Sequence, residues 1–280
     1  MAYPVVSAPY GLLPQNLIGG QVFAGSTRMY PIAYAYGTNI FYGDFVVLVK
    51  GQIQRATVDT GTGLNQTVGI FLGCTFTSPV TKQKQFSQYW PASTAAGDCQ
   101  AYVYDDPDAV FKVVACSSGT TVASAALAMV GTNQSLINNT GSVTTGNSAN
   151  AFLTPTASGA TPTTTLPVRV VGVVSDTAVG LGTATWSTGT STLTVSALPN
   201  ALPVGTDVAV ITANGQVASS GSWVRSAAAA GATSVVLNQA PTFTLGSGDY
   251  GTTVVFTQYP EVLVKLNQGL HGYYSATGAA

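Results

Sequence analysis

The sequence predicts a mainly β protein: a small β-barrel or β-sandwich core with an extended N-terminal arm, one short helix and an inserted immunoglobulin-like β-sandwich domain. Three observations lead there. From Ile40 onward, short apolar and β-branched runs alternate with Gly, Pro, Asp and Ser turns, the punctuation of a barrel or sandwich. Strand pairs recur with their own texture between residues 178 and 255. Apolar residues make up 46% of the chain and charged residues only 7%, which gives enough material for a core and little charge repulsion at the surface.

Residues 1–31 come first. Pro4, Pro9, Pro14 and Pro31, with Gly11, Gly19, Gly20 and Gly25, exclude helix and interrupt a central strand. Yet Leu12, Leu13, Leu17, Ile18, Val22 and Phe23 persist through the segment, and Arg28 is its only charge. A polar linker lacks such residues. The expectation is an extended arm that buries these side chains against its own domain or a neighbouring subunit, with Arg28 at the contact rim.

The core domain is expected over 32–177 plus 256–280. Its strands read as Asp44 to Lys50, Thr67 to Phe76, Gln100 to Tyr104, Val110 to Cys116, Pro167 to Val174 and Tyr259 to Asn267. Val122 to Val130, ended by Gly131, is the predicted helix. Residues 138–165, dominated by Asn, Thr, Ser, Gly and Ala, have the composition of a surface loop. Within 178–255, the run from Thr190 to Pro199 followed by Gly205 to Ile211 resembles the run from Ala232 to Pro241 followed by Gly251 to Phe256. Each half reads strand, Pro-containing turn, Gly, strand, and such pairs predict the inserted sandwich.

A net charge of −1 with nine scattered basic residues, Lys82 and Lys84 being the closest pair, argues against nucleic acid as a partner. No run approaches a membrane-spanning length. The start Met1-Ala2-Tyr3-Pro4 has neither a basic nor an apolar leader region, so folding in a cytoplasm is expected. Cys74, Cys99 and Cys116 match no metal spacing and read as buried thiols, with one disulfide left open.

Chemistry is sparse. His271 is the sole histidine and has no His or Cys partner at ligand spacing. Asp105, Asp106 and Asp108 around Pro107 would offer calcium ligands but lack a calcium loop's remaining spacing, and they suit a turn between strands. Glu261 is the only glutamate and shares a strand with Lys265, which disfavours paired-carboxylate hydrolysis. No phosphate loop or dinucleotide fingerprint occurs. The expectation is therefore no enzyme, no cofactor and no metal site. Tyr30, Tyr34, Tyr36, Phe41, Tyr42, Phe86, Tyr89 and Trp90 read as core or interface aromatics.

Three stretches together carry a resemblance. They are Asn16-Leu-Ile-Gly-Gly-Gln-Val-Phe-Ala-Gly-Ser-Thr-Arg28; Ile40-Phe-Tyr-Gly-Asp-Phe-Val46 with Val68-Gly-Ile-Phe-Leu-Gly73; and Tyr259-Pro-Glu-Val-Leu-Val-Lys-Leu-Asn267 with Ala276-Thr-Gly278. They resemble the head decoration, or cement, proteins of tailed bacteriophages, particularly cyanophages, over residues 1–177 and 256–280. The resemblance implies a structural virion protein on the exterior of the head, assembled in the host cytoplasm. It also implies a homotrimer that binds the major capsid protein and bridges capsomers. The alternative is a receptor- or carbohydrate-binding virion protein that stacks host-surface glycan on Trp186, Trp223 or Tyr250 of the inserted domain.

Overall fold

Side-chain alternation and backbone hydrogen bonding organise nearly all of the ordered elements as strands. The computed structural model describes residues 4–56, 67–125, 127–154, 166–181, 184–198, 201–212, 217–242, 253–257, 259–267 and 271. The chain divides into two compact units. One comprises Met1–Ser7, Thr121–Ala126 and Val174–Glu261; the other comprises Ala8–Thr120, Leu127–Val173 and Val262–Ala280. The segment expected as an insertion, 178–255, lies within the first of these, which also recruits the two short outlying segments.

The larger unit is built around a curled sheet in the order Arg28–Pro31, Gln100–Tyr104, Thr67–Thr77, Phe45–Val49, Gln52–Arg55. A bridge between Ile32 and Ile53 draws its two ends together, so the sheet curls into a barrel-like form. Ile32, Ile40, Val46, Ile53, Phe71 and Trp90 fill the inside. The sequence dictates two local features. Lys50 (φ 50°) and Gly51 (φ 79°) form the two-residue turn between Phe45–Val49 and Gln52–Arg55, the left-handed pair that a tight hairpin requires. At Gly69 a Cβ would fall 2.0 Å from the Tyr104 carbonyl oxygen, so only glycine lets these strands approach.

The same unit carries a second sheet, in the order Asn133–Gln134, Val168–Val173, Glu261–Leu266, Ala109–Ser118, Ala151–Leu153, Leu136–Ile137. Leu13–Leu17 adds antiparallel to Ala109–Ser118. The stretch expected as a loop, 138–165, therefore contains a strand: Phe152 is fully buried opposite Ala115. Its short apolar triplet, Ala151 to Leu153, was hidden among Asn and Ser.

The predicted helix Val122 to Val130 does not form. Thr121–Val122 is a strand and Leu127–Met129 a single 3-10 turn. Tertiary hydrogen bonds override the helical pattern, because the Ala125 amide donates to Tyr259 O and Gly131 donates to Val170 O. A short Ala-rich run has too little intrinsic helical stability to resist them.

The other unit follows one continuous path: Val5–Val6, Ala178–Leu181, Thr253–Thr257, Asp207–Ile211, Val217–Ser226, Ser234–Leu237, Thr192–Val195, Ala184–Thr185. Val217–Ser226 serves both halves, pairing with Asp207–Ile211 through Trp223 and with Ser234–Leu237 from Val224 on. Trp186, Leu193, Val210, Val224, Val235 and Phe256 are buried between the halves.

Candidate functional site

The arm residues are distributed unevenly once folded. Leu12 is fully buried and donates its amide to Gly43 O at 3.1 Å, so its own chain, rather than a partner, supplies its burial. Leu13 and Leu17 are half-buried in the strand on Ala109–Ser118, with a register shift between Pro14 and Asn16 that accommodates a residue lacking an N–H. Beyond it the chain turns back. Leu17 accepts from the Gly20 amide and donates to Gln21 O, leaving Ile18 52% and Val22 79% exposed. Phe23 packs on Tyr104 with ring centroids 4.4 Å apart. Arg28 is surface-exposed and pairs with Asp105 at 3.1 Å, and Tyr30 donates to the same carboxylate at 2.8 Å. Met29, between them, is 59% exposed.

Thus the segment is stitched along its length to its own fold while Ile18, Val22 and Met29 face water. Elsewhere in this unit, the hairpin of Thr67–Thr77 and Lys84–Ser87 exposes Val80 and Phe86. Among the aromatics, Phe41 and Trp90 are core, and Trp90 meets Phe76 edge-on with its Nε1 donating to Tyr36 O. Tyr34 is exposed.

The residues weighed for catalysis are engaged structurally. Asp106 Oδ1 accepts the Asp108 amide at 2.8 Å, Asp105 takes Arg28 and Tyr30, and Asp108 pairs with Lys265 at 3.1 Å. This is a turn fastened by ion pairs. His271 is buried beside Thr67, and burial pushes its pKa down against the partial opposition of Asp105. The three cysteines are free and buried. Desolvation pushes the Cys74 and Cys116 thiols up to about 12, and raises Cys99 too, so the nucleophilic thiolate is scarce. Among the described residues, no group of three or more His, Cys, Asp or Glu is arranged to hold a metal ion. No helix among them is long and apolar enough to cross a membrane.

A polar cluster that the sequence did not reveal centres on Asp44, which is fully buried. Arg55 Nε lies 2.9 Å from its Oδ2, close enough for an ion pair but not aligned as a hydrogen bond. Ser148 donates to Oδ1 at 2.5 Å and the Phe41 amide to Oδ2 at 2.9 Å. Arg55 also donates to Asn139 O and to Asn150 Oδ1. Burial pushes the Asp44 carboxyl up, opposed first by the Arg55 charge and then by these donors. The cluster ties residues 139–150 to the barrel. With Asp44 closed to solvent, these bonds clamp that segment to the barrel.

In the other unit, Trp186 is buried and donates its Nε1 to Thr190 O at 3.0 Å. That removes it from the glycan-stacking set. Trp223 is 39% exposed, opposite Asp207 and bonded through its amide to Asn238 Oδ1. Tyr250 lies outside the described residues. Comparison of the chain with family models, with curated proteins and with solved structures returns no match.

Proposed function

We propose that this chain is a non-catalytic decoration protein that binds the exterior of a phage head and cements neighbouring capsomers through the major capsid protein. One observation carries the proposal: an arm fixed by strand pairing to its own fold presents Ile18, Val22 and Met29 to water. Ordering entropy for such a surface is spent on folding, so later contact costs less. Burying each side chain is worth roughly 1.5–3 kcal/mol. The low overall charge favours association, and the engagement of His271, the cysteines and the acidic turn in packing and pairing supports a role without chemistry.

The proposed assembly is a homotrimer on the shell, since closed symmetry lets one patch meet repeated capsid sites. The test is co-sedimentation of the purified chain with mature heads and with unexpanded procapsids. Binding to mature heads alone supports cementing, whereas binding to neither rejects it.

Trp223 favours a second role, glycan binding, because an exposed indole flanked by Asp207 and Asn238 offers stacking with polar neighbours. Glycan-array binding that Trp223→Ala abolishes would favour that role.

A further inference from the structure

The antiparallel pairing of Val168–Val173 with Glu261–Leu266 places Arg169 directly opposite Lys265. Like charges in that relation destabilise a sheet. With only nine basic residues in the chain, crowding does not force the pairing. Lys265 is relieved by Asp108, whose Oδ1 lies 3.1 Å from Nζ. Arg169 is relieved by no carboxylate among the described residues; its Nε donates to Asn133 Oδ1 at 2.9 Å, which leaves the two terminal nitrogens available. Of the two opposed cations, only Lys265 therefore has a carboxylate beside it among the described residues.

A groove of about 340 Å³ opens at this point, lined by Ile18, Arg169, Val171, Lys265, Leu266 and Asn267. That volume accommodates one or two side chains. Its walls are anchored. The Ile18 amide donates to Asp108 O at 2.9 Å, and the Asn267 amide to Pro167 O at 2.9 Å. Ile18 is half-exposed, so the groove combines an open aliphatic wall with a guanidinium that no carboxylate among the described residues neutralises.

We propose that this groove binds a carboxylate on an acidic, partly aliphatic segment of a protein partner, with Arg169 as its principal cation. A guanidinium presents parallel donors that fit a carboxylate bidentately, while Ile18 and Val171 take the neighbouring aliphatic side chain. Asp108 disfavours a doubly charged phosphate at the same place. The site stands whether or not the partner is a capsid.

The test is a titration of the isotope-labelled full chain with N-acetyl-Leu-Glu-Val-amide, followed by magnetic resonance at the Asn267 amide and the Arg169 Nε–H. Saturable shifts are expected, at least tenfold weaker with the Leu-Gln-Val analogue and, at Asn267, with the Arg169→Gln variant. Equal binding of the Glu and Gln peptides to the unmodified chain overturns the proposal without reliance on any variant. So does undiminished binding by folded Arg169→Gln. Saturation by inorganic phosphate at lower concentration than the peptide would mark an adventitious anion only, and would also overturn it.

Discussion

The two units solve the same problem differently. In the larger one, a buried ion pair, Asp44 with Arg55, gathers Ser148, Asn139 and Asn150 onto the barrel. In the smaller one, the buried polar side chains are mostly hydroxyls, Thr177, Thr206, Thr212, Ser219 and Ser222, together with the carboxylate of Glu261. Order there comes from backbone ladders and an alternating apolar core around Trp186. A barrel pinned by charge has steep penalties when one partner is lost. A sandwich of small residues distributes its stability over many contacts.

The contrast predicts separable damage. Asp44→Ala leaves the Arg55 cation buried without its carboxylate, and should cost the larger unit about 3–5 kcal/mol while sparing the smaller. Denaturant unfolding followed by hydrogen exchange, which resolves the units, checks this. Trp186→Ala should do the reverse, removing about 3–5 kcal/mol from the smaller unit through its cavity and lost Nε1 bond. Equal loss of protection in both units from either substitution would break the comparison.

A smaller effect concerns pH. Burial lowers the His271 pKa from 6.5, so the unfolded chain binds the proton more readily than the native one. Stability contributed by neutral His271 is complete above pH 6.5 and declines as pH falls below it. His271→Gln should flatten the slope of the larger unit's stability between pH 7.5 and 5.5, read by its unfolding midpoint. Trp223→Ala should cost the smaller unit less than Trp186→Ala does, because Trp223 is 39% exposed where Trp186 is fully buried. Thermal unfolding checks that, and glycan retention by the variant would weigh against stacking.

Legibility in the sequence followed the same division. Gln100–Tyr104 is legible as it stands, and Thr67–Thr77, Phe45–Val49, Val168–Val173 and Glu261–Leu266 nearly so, because their apolar runs are bounded by turn residues. The repeated pairs marked Thr192–Val195, Asp207–Ile211 and Ser234–Leu237. Val217–Ser226 is not legible: Ser219, Ser220, Gly221 and Ser222 conceal a strand whose place is fixed by its neighbours on both sides. The arm's strands were hidden by Pro14 and Pro31, which are tolerated at their register positions. The Asp44 cluster is invisible because Asp44 and Ser148, which bond directly, lie 104 residues apart. Cross-chain polar ties leave no periodic trace.

The buried Leu12 and paired Leu13–Leu17 also change how the arm is best tested, since deleting it would remove core and ladder together. Val22→Asp combined with Met29→Asp alters only exposed side chains of the presented surface. Occupancy of this double variant on mature heads lacking the protein is the most direct measurement. With its spectrum and unfolding midpoint unchanged, occupancy should fall at least tenfold, as expected when two apolar contacts each worth roughly 1.5–3 kcal/mol become charged. Undiminished occupancy by the folded double variant would contradict attachment through the arm.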